Sequence, residues 1–108
     1  MFSRMVTMKL KQNQYSVADL TKAIDHKVLP VLRMQEGFKN AVFCANPNGT
    51  EAIGFTMWDR SASAESYGEK AYPEVLTSLT PLLDGGPHVK SFEVISSTLN
   101  DKVVSNVK

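Results

Sequence analysis

The chain has a single cysteine, Cys44, among 108 residues. No internal disulfide can form, and nothing in the chain calls for an oxidising compartment. Long apolar runs are also missing. Arg4 and Lys9 interrupt the first ten residues, so they lack the uninterrupted apolar stretch of a secretory signal, and no run approaches the roughly 20 apolar residues that span a bilayer. Charge of one sign does not accumulate: 12 Lys and Arg are scattered among 11 Asp and Glu, leaving a net charge of +1. A nucleic-acid surface needs clustered positive charge. Histidine is scarce too. His26 and His88 have no Cys, Asp or Glu at ligand spacing, so no metal site is expected. No Ser-His-Asp grouping can be read from the spacing, and Asp84-Gly85-Gly86 lacks the Lys-Ser/Thr of a phosphate loop. These absences leave a soluble, cytoplasmic protein with no nucleic-acid or membrane partner as the expectation.

What is present is ordinary globular composition, 43% apolar and 21% charged. The length suits one domain, over residues 1–98, with 99–108 as a polar C-terminal tail. Residues 2–11 partly alternate, with Arg4, Val6, Met8 and Leu10 on one parity, and predict a first strand. Ser16 then stands as a helix N-cap with Asp19 in the first turn. Val17, Leu20, Ile24, Val28 and Val31 continue as an apolar stripe at helical spacing. Pro30 must kink or divide that helix, and Gly37 suits the turn after it.

Strands are predicted over 38–45 and 51–59, joined by Asn46-Pro47-Asn48-Gly49-Thr50, where Pro fixes one φ and Asn-Gly supplies positive φ. Ser61 or Ser63 is positioned to cap a second helical region, which Gly68 and Pro73 should break near Tyr72. Asp84-Gly85-Gly86-Pro87 is a stop signal, and 88–98 predicts a fourth strand. The order βαββαβ predicts an α+β, ferredoxin-like fold: a four-stranded antiparallel sheet with both helical regions on one face.

One sheet face then lacks a cover. The more apolar sets, including Ile53, Phe55 and Met57, are expected to face the helices. The other sets are mixed rather than polar, with Asn40, Val42, Cys44, Thr56, Ser91, Glu93 and Ile95 beside Trp58. Monomers rarely expose such a patch. A second copy laid across it makes a homodimer closing an α/β barrel, and those seven residues are the expected lining of a partly polar cavity for a small organic molecule.

Across roughly residues 2–98 the sequence resembles the antibiotic biosynthesis monooxygenase family of dimeric α/β-barrel proteins. The resemblance rests on Val28-Leu29-Pro30-Val31-Leu32 leading to Glu36-Gly37-Phe38-Lys39, and on Thr56-Met57-Trp58-Asp59. It continues through Ser61, Ala64, Tyr67 and Tyr72 to Phe92-Glu93-Val94. It implies oxidation of an aromatic phenol to a quinone by molecular oxygen with no metal or flavin, the substrate's own ring reducing the oxygen. Trp58, Tyr67 and Tyr72 are the implied catalytic residues: the indole to stack and donate its N–H, the tyrosines to donate to a phenolate. Haem degradation, found elsewhere in the superfamily, is not implied, because strand one has no Asn and Tyr67 and Thr77 stand where a Trp and a His belong. The same residues also suit a non-catalytic homodimer that binds a small molecule or scaffolds. Trp58 would then be a packing anchor, Tyr67 part of a helical core stripe and Cys44 a small buried residue.

Overall fold

The computed structural model describes residues 1–12 and 15–98, and the expected tail over 99–108 lies outside the described residues. Strand β1 (Phe2–Lys9) is followed by α1 (Val17–Ala23), a π-helical turn (Ile24–Val28), α2 (Leu29–Arg33), β2 (Phe38–Ala45) and β3 (Glu51–Trp58). Then come α3 (Ser61–Lys70), α4 (Tyr72–Leu79), a 3-10 turn (Thr80–Leu82) and β4 (His88–Glu93). The four strands form one sheet in the order β2-β3-β1-β4, every pairing antiparallel. This is the ferredoxin-like α+β arrangement that the βαββαβ pattern predicts.

Local chemistry accounts for the boundaries. The Ser16 hydroxyl accepts from the Asp19 N–H while the Asp19 carboxylate accepts from the Ser16 N–H at 2.8 Å, a reciprocal cap. Pro30 cannot donate to the His26 carbonyl. The ladder slips by one residue just before it, so the Leu29 N–H reaches the Ile24 carbonyl five residues back. The helix is thus re-registered through a π turn rather than broken. Gly37 ends the segment at φ 82. A Cβ there would collide with Asp59 and Ser63, so both the backbone and the space require glycine.

In the hairpin, Asn46 Oδ1 accepts from the N–H groups of Thr50 and Glu51, both at 2.9 Å, and Gly49 takes φ 72. Neither Ser61 nor Ser63 caps α3. The N-cap residue is Arg60, and Ser63 instead donates its hydroxyl to Asp59, which holds that carboxyl below its usual range. The break before Pro73 falls at Ala71, as its missing donor requires. Strand four is shorter than the 88–98 expected. It stops at Glu93, opposite Phe2, because β1 offers no further partner beyond one Val94 N–H to Met1 carbonyl bond of 2.9 Å.

The pairing register divides the sheet into two sets of rows. Ala41–Thr56–Arg4–Ser91 and Phe43–Gly54–Val6–Val89 lie on one face. Asn40–Met57–Ser3–Phe92, Val42–Phe55–Met5–Lys90 and Cys44–Ile53–Thr7–His88 lie on the other. The helices cover the first set. Leu20, Ile24, Val28, Leu32, Ala64, Tyr67, Val75 and Leu79 pack with Met8, Ala52 and Trp58 in one core. This corrects the facing expected for strand three. Trp58 and Thr56 point to the helices, and the more apolar Phe55 points away, 37% exposed. On the same face as Trp58 and Thr56, the Phe43 ring crosses Gly54 so closely that a Cβ would sit 2.7 Å from it, so that one position requires glycine.

Candidate functional site

On the covered face an aromatic cluster surrounds a buried charge. Trp58 is fully buried, with its ring centroid 5.0 Å from Tyr67 and 5.6 Å from Phe38. Tyr67 in turn lies 6.0 Å from Tyr72. Strand β3 delivers the Trp, α3 delivers Tyr67, and the helix break at Ala71 turns Tyr72 back toward it. The three residues implied by the resemblance therefore meet, although they come from three elements.

At the centre of the cluster is Arg4, which β1 places on the row between Thr56 and Ser91. Its residue exposure is 7%, and its guanidinium carbon sits 5.1 Å from the centre of the Tyr67 ring and 4.5 Å from that of Tyr72. Both distances are in the cation–π range. Removal from water lowers the Arg4 pKa, partly opposed by the two tyrosines. Burial likewise pushes the Tyr67 hydroxyl up to about 12 and raises that of Tyr72, with the Arg4 charge pulling both the other way. Both phenols are neutral hydrogen-bond donors at neutral pH.

Two polar ends are left over. The Tyr72 hydroxyl is buried without a hydrogen-bond partner among the described residues. The Arg4 guanidinium makes no hydrogen bond or ion pair with the described residues either, but its nitrogens, unlike the Tyr72 hydroxyl, keep some contact with solvent. Both residues line a cavity of about 30 Å³ with Thr56, Tyr67 and a largely apolar wall that includes Val28, Leu32, Phe43 and Leu76. Pro87, next to Gly85 and Gly86, also lines it. That volume suits a water-sized group; an apolar cavity that takes up benzene is nearer about 150 Å³. A ring enters only if side chains at the rim move.

The expected lining set does not converge on one cavity. Thr56 lines this one. Ser91 and Glu93 share its sheet face but lie on the edge strand, exposed. Asn40, Val42 and Cys44 lie on the opposite face, with Val42 and Cys44 exposed, and Ile95 lies beyond β4, 97% exposed. Cys44 is therefore not the buried residue expected. Trp58 also differs from expectation. Its indole N–H donates to Thr56 Oγ1 at 2.9 Å and so is not free for a ligand; the ring instead buttresses Tyr67 from behind. Arg4 escaped the sequence reading, and its signal was there: a charge on the parity of Val6, Met8 and Leu10. Among the described residues no group of His, Cys, Asp or Glu is placed to hold a metal ion, and no helix is long and apolar enough to cross a membrane.

No family model matches the sequence, and no curated protein is similar enough to stand as a relative. Solved structures are informative. The chain is similar to a monooxygenase from the gene ActVA-Orf6 of Streptomyces coelicolor in complex with nanaomycin D, at 20% identity over 91% of this chain and 90% of that one, with a TM-score of 0.74. It is similar to SnoaB, a cofactor-independent oxygenase of Streptomyces nogalater, at 9% identity over 92% and 97%, with a TM-score of 0.72. A candidate antibiotic biosynthesis monooxygenase of Deinococcus radiodurans matches at 12% identity over 90% and 95%, with a TM-score of 0.70. At these identities the likeness is one of backbone, and it spans nearly the whole of each partner: the chain has the fold of the antibiotic biosynthesis monooxygenases.

Proposed function

We propose that this chain is a cofactor-independent monooxygenase of a small phenolic aromatic, working in the cavity between its helices and its sheet, with residues 1–98 as its one domain. The observation that carries the reading is Tyr67 and Tyr72 stacked over Arg4 at an apolar cavity. A phenol loses its hydroxyl proton before its ring can pass electrons to oxygen. Arg4 offers charge to the ionised oxygen and the tyrosines offer donors, in surroundings that keep water out. One oxygen atom becomes the new quinone carbonyl; the other leaves as water, taking the one hydrogen of the oxidised ring carbon and the proton lost by the phenol hydroxyl. The substrate supplies the electrons, so the balance needs no further reductant.

A second reading keeps the cavity and drops the chemistry: a homodimeric domain that binds a small molecule or scaffolds. It is favoured by the cavity wall, which among the described residues holds neither a carboxylate nor a histidine to take the phenol proton. Oxygen consumption with a panel of anthrones and hydroquinones separates the two. The oxygenase reading expects protein-dependent uptake with at least one member, and a fall of roughly 10²-fold or more in Tyr72→Phe, as when a donor to developing charge is removed. Uptake no faster than that of the panel alone, with binding intact, leaves the second reading.

A further inference from the structure

Resting on that reading of the cavity as an aromatic site, we infer that Phe43 is its specificity-determining residue. The Phe43 ring holds the place that a ligand's ring takes, and a ligand enters when Phe43 swings outward off Gly54. The cavity as it stands is about 30 Å³, too small for an aromatic body. Part of its wall must therefore yield, and the wall is not uniform. Val28 and Val75 belong to the buried core. Tyr72 is half-buried, but its ring face rests on the Arg4 guanidinium. The half-buried Val6, Leu76 and Pro87 carry no aromatic ring, so moving one of them frees less than a ring's breadth. Phe43 is half-buried as well, and it comes from β2, the edge strand of the sheet. Among the described residues no strand lies on its outer side, so the ring has somewhere to go.

The floor beneath the ring completes the argument. A Cβ at Gly54 would stand 2.7 Å from Phe43 Cε1 and 2.9 Å from Cδ1. Gly54 is not among the glycines with positive φ, so its backbone does not demand glycine. What the missing side chain gives is room for a flat ring against the strand, and a glycine inside a strand often marks such a close approach. The next residue inward on that row is Val6, which also lines the cavity. When Phe43 turns to another staggered position about its Cα–Cβ bond, the bared face of Gly54 becomes a slot continuous with the cavity. A flat ligand ring then lies where the phenyl lay. The cavity stays closed until a ligand replaces the protein's own ring, and the breadth that Phe43 vacates sets the breadth that is accepted.

Naphthalene is the probe, because it is flat, apolar and without a hydroxyl to ionise or oxidise, so its binding is independent of turnover. A closed arrangement favoured about tenfold weakens ligand binding by the same factor. Fluorescence titration should therefore show Phe43→Ala binding naphthalene about 10-fold or more tightly than the wild type. Phe43→Leu, which keeps an apolar side chain there, should move the same way by less. The swing itself is read by fluorine NMR on protein labelled with para-fluorophenylalanine, the resonance missing from Phe43→Leu being that of Phe43. It should shift when naphthalene binds the wild type, and shift without ligand in Gly54→Ala, whose Cβ displaces the ring. No gain of naphthalene affinity in either Phe43 variant, or a Phe43 resonance that stays in place while naphthalene binds, overturns the proposal even where the phenol panel consumes oxygen. Tighter naphthalene binding by Phe43→Ala, in a protein that consumes no oxygen with any phenol, leaves Phe43 as the gate and removes the oxygenase reading alone.

Discussion

Strand β3 carries Trp58 on one face of the sheet and Phe55, three residues earlier, on the other. The indole is fully buried, hydrogen-bonded to Thr56 and edged by Phe38 and Tyr67. The phenyl ring is 37% exposed, in a row with Val42, itself 42% exposed, and Phe92 is 48% exposed in the row beside it. The covered face mixes small residues, a hydroxyl and a buried cation with its large rings. Beyond Glu51, the open face of this strand carries the larger aliphatic and aromatic residues Ile53, Phe55 and Met57. A face that already has its cover can accommodate polar groups at defined points because packing holds them in place. The other face has no helix over it among the described residues: Val42, Phe55 and Phe92 are exposed there, while Met57 and Ser3 at one end are buried.

The sharpest way to test this contrast is to remove the ring on which the covered face is built. Trp58→Ala deletes a fully buried side chain, leaves Thr56 without its donor and takes the support from behind Tyr67. Such truncations cost about 3–5 kcal/mol, a large part of the roughly 5–15 kcal/mol that holds a domain together. Urea unfolding should show the midpoint falling accordingly. A loss under about 1 kcal/mol would mean that Trp58 is no part of a packed core.

How far the sequence revealed this contrast can be read from the same strand. Backbone chemistry was legible wherever a residue type has only one solution. Ser16 caps, Pro30 forces a change of ladder, Gly49 turns the hairpin, and the break falls just before Tyr72 and Pro73. The pairing of strands followed from the order of elements. The choice of face did not. Summed apolarity ranks Ile53, Phe55 and Met57 above Ala52, Gly54, Thr56 and Trp58, and so selects the wrong side. What summed apolarity leaves out is contacts: Phe43 lying over Gly54, and Thr56 receiving the indole N–H. Arg4 was missed for a related reason. Alternation showed it among apolar residues, but its value as a site depends on Tyr67 and Tyr72 arriving from helices more than sixty residues away.

Arg4 also gives the next test, because a group retained for binding should be a burden on folding. Among the described residues its largely buried charge has no carboxylate partner, and two cation–π contacts offset only part of the desolvation. Arg4→Met keeps the length and removes the charge. It should raise stability by on the order of 1–2 kcal/mol, read as a higher urea midpoint at an unchanged slope. A comparable loss of stability would show that Arg4 is a structural clamp and that its partners already satisfy it.

The smallest effect on folding, and the most direct probe of the open face, comes from Phe55→Glu. No helix of the described residues covers Phe55, so within one chain the change should stay within about ±0.5 kcal/mol. The expected consequence is in association. Val42, Phe55 and Met5 form an apolar row that a copy related by a twofold axis can cover with the same row of its own. In that arrangement each introduced carboxylate would be forced into a dry contact close to its mate, where unpaired charge is costly. Light scattering should give the wild type a mass near twice the 11.9 kDa of one chain and the variant a mass near 11.9 kDa. A wild type that already runs at one chain's mass removes the dimer and leaves the open face without an occupant. A variant that stays paired places the contact elsewhere on the molecule. Because the cavity with Arg4 lies on the other side of the sheet, any oxygen uptake seen with the phenol panel should survive the loss of pairing, and a variant that dissociates but keeps that uptake would show that the two faces act independently.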